Sequence, residues 1–307
     1  MARPVLLVLG SVNMDIVTTT SRFPGPGETI RSDGFFTAPG GKGANQAVAA
    51  ARLDVGTRMI GRVGGDSFGH ELLESLSGYG VDVSLVLRDV GHTSGLAIIN
   101  VDASGQNRIV VVPGANGACG QREIEAVESA LGGALALLLQ FEIPTEVSLE
   151  AARRARARGV MVVLDPAPAR PIPAEFYECI DYLTPNETEA AAIVGFPVDD
   201  AVSAERAARE LLERGAGCAV IKMGAQGALY ATEGASESLP AFPVDVVDTV
   251  AAGDAFNAAL AVALAEGKAL RDAVLWGMAA GAVAVTRPGA QQAMPTRREV
   301  EALLRNA

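Results

Sequence analysis

The chain has 307 residues, 49 % of them hydrophobic and 20 % charged. That is ample material for a core, in one large α/β domain or two smaller ones, and it excludes an intrinsically disordered chain. A net charge of −11 argues against nucleic acid or an anionic membrane surface as partner, because both would repel it, whereas a phosphorylated substrate needs only a local positive site.

Cys119, Cys179 and Cys218 stand far apart in no CxxC or metal-ligand spacing, and His70 and His92 cannot complete a Cys/His cage with them. Scattered cysteines suggest buried thiols in a reducing compartment. The apolar run at 5–9 is too short for a secretion signal. The longest apolar stretches, 131–141 and 279–285, fall short of the ~20 residues that span a bilayer. A cytoplasmic protein is expected.

In chain order, 5–9 reads as a buried strand that ends at Gly10, with Asn13 and Asp15 just after it. Residues 16–38 hold two β-prone runs around the turn cluster Phe23-Pro24-Gly25-Pro26-Gly27, a hairpin-like insert. Gly40-Gly41-Lys42-Gly43 is a tight backbone passage into an alanine-rich helix over 44–53. A strand at 57–63, a glycine-rich turn and a helix at 71–78 follow. Residues 95–101 and 109–112 make a second hairpin, which with 16–38 forms a small sheet apart from the main one.

From 121 the alternation is regular: helix 121–131, strand 135–141, helix 146–158, strand 160–164, strand 182–183, helices 187–194 and 201–214, strand 219–221. The last third is helical at 253–266, 269–286 and 296–305. This pattern predicts a mainly parallel central sheet with helices on both faces. Asn13, Asp15, Asp66, Glu142, Asp165, Asn186 and Lys222 each fall just past a strand's carboxyl end, where such sheets form their ligand crevice.

The motifs are individually ambiguous. Ala251-Ala252-Gly253-Asp254 enters an apolar helix, so its bare amides suit an anion and its carboxylate suits a base; taken alone, an Asp there is more often a cap. Gly40-Gly41-Lys42-Gly43-Ala44-Asn45 lacks the Walker spacing, and reads either as a glycine turn or as a place where Asn45 meets a polyhydroxy ligand. In Thr184-Pro185-Asn186-Glu187-Thr188-Glu189 the acids suit the helix dipole, or an oxygen site for hydrated Mg²⁺. Gly224-Ala225-Gln226-Gly227 is a turn between two strands, and its backbone can approach a nucleotide. The first strand is followed by one glycine rather than Gly-x-Gly-x-x-Gly, which counts against nicotinamide binding.

Together, residues 10–15, 26–29, 40–50, 165–170, 184–190 and 248–254 resemble the hallmarks of the PfkB carbohydrate kinase family, in order and nearly end to end. The resemblance implies one α/β domain over 1–307, three-layered, with a small β-sheet lid from inserts at about 16–38 and 93–112. It implies ATP-dependent transfer to the primary hydroxyl of a furanose sugar, ribose first, with Asp254 as base and Ala251, Ala252 and Gly253 as anion hole. Asn13, Asp15, Gly41, Lys42, Asn45 and Glu142 would hold the sugar, with Ala97, Ile99 and Val111 as apolar lid positions over it. Asn186 and Glu189 would orient Mg²⁺ and phosphates, and Lys222, Gly224 and Gly227 would line the nucleotide.

Asp248, Val250, Ala284, Arg287 and Gly289 match a site for K⁺, with Ala293 where relatives often have a serine. Lys222 replaces a threonine of some relatives, and Asp165 an asparagine. A homodimer through the lid is the family expectation. Fructokinase, deoxyribokinase and adenosine kinase activities remain open alternatives, as does a non-catalytic sugar-binding protein on the same fold.

Overall fold

The computed structural model describes residues 5–306. β1 (Val5–Leu9) leads directly to β2 (Asn13–Thr20) and β3 (Gly34–Gly40), then to helix α1 (Lys42–Arg52). β4 (Gly56–Gly64), α2 (Ser67–Gly78) and β5 (Asp82–Asp89) precede a hairpin of β6 (Gly95–Asp102) and β7 (Asn107–Val112). Then come α3 (Gln121–Ala130), β8 (Ala134–Leu139), α4 (Thr145–Ala157), β9 (Met161–Leu164) and the short α5 (Ala174–Tyr177). β10 (Tyr182–Leu183), α6 (Glu187–Val194), α7 (Ala201–Glu213) and β11 (Cys218–Lys222) continue the alternation. The antiparallel pair β12 (Ala228–Ala231) and β13 (Ser236–Leu239) is followed by α8 (Ala252–Ala265), α9 (Leu270–Ala284) and α10 (Arg297–Asn306).

Nine strands form one sheet in the order β13-β12-β11-β10-β9-β8-β1-β4-β5. It is parallel except at the β12–β13 edge. Alternate residues of the central strands divide between two cores. Leu6, Val8, Ala136, Leu138, Val163 and Val220 face α1, α2, α8, α9 and α10. Leu7, Leu9, Leu137, Leu139, Val162 and Ile221 face α3, α4, α6 and α7. Burial on both faces is why these strands read as continuous apolar runs rather than as alternating ones.

The second sheet has the order β3-β2-β6-β7. β6 and β7 fall within the insert expected at 93–112, but β2 and β3 reach beyond the one expected at 16–38, so Asn13 and Asp15 lie within β2 rather than in a loop. Asp15 pairs across to Ala97, and Ala97 to Val111; Val17 pairs to Ile99, and Ile99 to Ile109. These rows share Asp15's face. The opposite face carries Ile16, Ile98 and Val110 in one cross-strand row.

Two strands escaped the sequence reading. β5 lies at a sheet edge, where its mixed polar and apolar residues give no clean period, and β13 is a short polar edge strand. α2 starts at Ser67, earlier than expected, because Asp66 caps it by accepting from the Gly69 amide at 2.8 Å.

The passage at Gly40–Gly43 is tight for a physical reason. A Cβ at Gly43 would lie 2.7 Å from the Gly10 carbonyl carbon and the Ser11 amide nitrogen. A helical Gly→Ala change normally stabilises by up to ~1 kcal/mol. Gly43→Ala is expected instead to destabilise by about 1–3 kcal/mol through backbone overpacking. A lower Tm in a thermal melt supports the close approach, and a raised Tm contradicts it.

Candidate active site

α8 begins without a side-chain cap. Its N-cap is Ala251, held in the left-handed region at φ 58°, a conformation that costs a residue with a Cβ roughly 1–2 kcal/mol. Among the described residues, no acceptor takes the Gly253 and Asp254 amides. The first turn therefore points bare N–H groups and the positive end of the helix dipole at one spot, an anion site.

Asp254 sits at the third helical position but does not cap the helix. Its side chain turns toward α1, where Oδ2 accepts from Asn45 Nδ2 at 3.0 Å and Oδ1 from Gln46 Nε2 at 3.1 Å. Only 3 % of Asp254 is exposed. Burial pushes its carboxyl up to about 6, against the pull of Lys42; the Asp165 charge adds to the rise, and the two amide donors oppose it. The group is thus ionised at neutral pH yet basic enough to take a proton.

Two lysines offset the buried carboxylates. Burial alone would lower Lys42, but Asp254, Asp165, Glu142 and Glu189 outweigh it and hold the ammonium above the usual lysine range. Lys222 Nζ donates to Asp165 Oδ1 at 2.9 Å. It also lies 3.4 Å from where a Gly253 Cβ would be, so this lysine stands over the open end of α8.

On the β1 and β8 side, Glu142 Oε2 accepts from Ser11 Oγ at 2.5 Å and from the Lys42 amide at 3.0 Å. Gly41, at φ 90°, makes that turn, and a Cβ there would meet the Asn13 amide at 2.8 Å. Asn116 fixes Asn13 by donating to its Oδ1 at 2.7 Å. Burial pushes Asp15 up to about 7, helped by the charges of Glu142 and Asp254. A cleft of about 320 Å³ opens beside these groups, lined by Asn13, Val111, Asn116, Phe141, Glu142 and Arg170.

On the β10 and β11 side, Asn186 and Glu189 close a reciprocal capping box: Asn186 Oδ1 accepts from the Glu189 amide, and Glu189 accepts from the Asn186 amide. The dipole reading of these acids therefore holds structurally, and Glu189 is buried with its carboxyl raised, by burial first. Gly224 (φ 49°) and Gly227 (φ 100°) shape the turn after β11. Asp248 accepts from the Val250 amide at 3.0 Å and the Gly289 amide at 2.9 Å, which ties the loop before α8 to the loop after α9. Arg287 is engaged by Glu299. Among the described residues there is no cluster of three His, Cys, Asp or Glu side chains that could hold a metal.

Asp66 is the exception among the strand-end acids. It binds the Ser94 amide and hydroxyl and pins the start of β6 rather than joining this cluster. The sequence reading missed Ser11, Gln46, Asn116 and Gln140, all buried and all bonded within the site. The signal was available for Gln46, a polar residue on the buried face of an alanine-rich helix.

Residues 4–297 match the model of the pfkB family carbohydrate kinase. The chain is 39 % identical to a Haemophilus influenzae ribokinase, over 99 % of this chain and all of that one. It is 42 % identical to a Bacillus subtilis ribokinase, over 97 % and 99 % of the two chains. The solved structure of an Arabidopsis thaliana ribokinase complexed with ribose and ATP superposes with a TM-score of 0.91 at 35 % identity, covering 99 % of both chains.

The raised Asp254 has a consequence for stability. The unfolded carboxyl ionises near 3.8 and the folded one near 6, so the folded state holds the proton longer and loses stability as pH rises between those values. Asp254→Asn removes that titration. In chemical denaturation, wild type should lose on the order of 2 kcal/mol relative to the variant between pH 4.5 and 7.5. A pH-independent difference would contradict the buried, raised carboxyl.

Proposed function

The chain belongs to the pfkB family of carbohydrate kinases, and we propose that within it the chain transfers the γ-phosphoryl group of ATP to the primary (O5) hydroxyl of D-ribose. The products are ribose 5-phosphate and ADP. The observation that carries this is Asp254: a buried, ionised carboxylate beside the bare amides of an uncapped helix, with polyol-binding groups from β2, α1 and the end of β8 converging on it.

Ribose lies between lid and sheet. Asn13, Asp15, Glu142 and the Gly41–Lys42 turn take its ring hydroxyls. Asn45 keeps its Oδ1 buried and without a partner among the described residues, an acceptor ready for a sugar hydroxyl. Asp254 takes the O5 proton as O5 attacks the γ-phosphorus. The bond to the β–γ bridging oxygen breaks, and ADP leaves with the electron pair. Negative charge on the moving phosphoryl group meets the anion hole of Ala251, Ala252 and Gly253, where the Gly253 and Asp254 amides are bare while the Ala252 amide already donates to Thr249 O at 3.4 Å, and it meets Lys222; such preorganised electrostatics dominate phosphoryl transfer. Closure of the lid, with Ala97, Ile99 and Val111 on its inner face, keeps water from competing.

Mg²⁺ bound with the nucleotide would supply charge neutralisation on the phosphates. Asn186 and Glu189 suit it through water, since their direct hydrogen bonds close on each other and Mg²⁺ keeps several waters. Gly224 and Gly227 let backbone approach the nucleotide. Asp248, Val250, Ala284, Arg287 and Gly289 would hold K⁺ through oxygen donors, on two loops joined by the Val247 and Asp248 amides donating to Val285 O. Ala293 contributes no hydroxyl, so one oxygen of a complete set is missing. The lid's outer row of Ile16, Ile98 and Val110, with Val110 62 % exposed, supports a homodimer through the lid. No described helix is long and apolar enough to cross a membrane, and the reading is of a cytoplasmic enzyme.

The test is ADP formation with ribose, deoxyribose, fructose and adenosine, with and without K⁺. Ribose should give the highest kcat/KM, and Asp254→Asn should lose at least ~100-fold in kcat. Absence of ribose-dependent turnover sinks the substrate; full activity in the variant sinks the base. Turnover of another acceptor in preference would favour the rival kinase activities, and binding without turnover of any sugar would favour a non-catalytic protein.

A further inference from the structure

We propose that Gln46 is a positioning residue that fixes two carboxylates as one unit, Asp254 and the Asp165 that holds Lys222. The inference rests on the reading of Asp254 as base and Lys222 as phosphoryl contact. Nε2 of Gln46 lies 3.1 Å from Asp254 Oδ1 and 3.1 Å from Asp165 Oδ2. Both neighbours are carboxylates that only accept, so both hydrogens of this one NH₂ group are committed, and the amide cannot be turned over without facing oxygen to oxygen. Its Oε1 must then find a donor, which is Gln140 Nε2 at 2.7 Å.

The chain of contacts runs from the end of β8 through α1 to α8 and, by Asp165, to the end of β9 and Lys222. Gln46, Gln140, Asp165 and Asp254 are all buried. Gly10 belongs to the same device, since a Cβ there would come within 2.0 Å of Gln140 Oε1. The other charged groups that act on Asp254 are Lys42 and, across the cleft, Asp15. Gln46 has no free donor for a ligand and is buried, so it acts through the two acids. It holds Asp254 Oδ1 still, leaving Oδ2 and Asn45 on the substrate side, and it keeps Asp165 from swinging Lys222 away from the helix mouth. Neutral donors do this without adding charge to a site that already holds several acids.

The test replaces Gln46 by Met, unbranched and of similar volume but without donors, in the full-length protein. Steady-state kinetics with ribose and ATP are read from pH 5.5 to 9, beside Tm. The expected result is a kcat lowered at least ~10-fold, with both KM values within about threefold of wild type. The acid limb of the kcat profile should move up by about half a pH unit, because a carboxylate that loses a donor is harder to ionise. Unchanged kcat and acid limb, or a loss confined to Tm, overturns the proposal. If Gln46→Met does not fold, Gln140→Met is read in its place: it leaves both donors but frees the amide, and should shift the acid limb in the same direction by less, whereas an unmoved limb overturns the proposal. Asp254→Asn run in parallel separates the two levels, since high turnover in that variant removes the base itself whatever Gln46 does.

Discussion

The constraint on which the site depends is an ionised carboxylate kept out of water. Burying the charge of Asp254 is unfavourable unless it is paired and hydrogen-bonded. Here Lys42 offsets it electrostatically, and Asn45 and Gln46 supply one donor to each oxygen. Those three residues are consecutive-turn neighbours on α1, so a single helix start meets the demand. The compensation is incomplete, and the residual cost appears as a carboxyl that titrates near 6. A fully compensated aspartate would be a poor base, and an uncompensated one would stay protonated.

The sheet distributes the remaining parts. Along its carboxyl edge, the strand order β11-β10-β9-β8-β1 reads Lys222, Asn186, Asp165, Glu142 and then the β2 residues Asn13 and Asp15. The groups proposed for phosphate therefore stand at one end and those proposed for the sugar at the other, with α8 presenting Gly253 and Asp254 between them. If the proposed roles hold, strand order, more than any loop, sets the direction in which the phosphoryl group travels. The lid sheet grows from the same edge, because β2 continues β1 after a three-residue link and β6 starts at the Ser94 that Asp66 anchors.

Much of this was legible in the chain. Parallel strands buried on both faces announce themselves as apolar runs, and polar residues at their ends mark the crevice. Motif order then suggested roles for Asp254, Asn45 and Lys222, which the structure brings to one cluster. Other features were hidden for physical reasons. Gln140 is ordinary in sequence and Gln46 shows there only as a polar residue on an alanine-rich helix; their contact arises only where α1 meets the end of β8. Asp66 shares the position of its fellow acids but is turned to Ser94, a distinction no spacing encodes. β5 is an edge strand whose residues need satisfy only one neighbour, which weakens its pattern. The capping reading of Asp254 was reasonable by propensity, and it fails because the side chain finds better donors on another helix.

The most direct measurement is a crystal structure of this protein with ribose and a non-hydrolysable ATP analogue bound together. The account predicts the ribose O5 within about 2.6–3.2 Å of an Asp254 carboxylate oxygen and in line with the γ-phosphorus. It also predicts γ-phosphate oxygens on the Gly253 amide and Lys222 Nζ. An O5 turned away from Asp254, or a γ-phosphate bound elsewhere than at the α8 N-terminus, would contradict it.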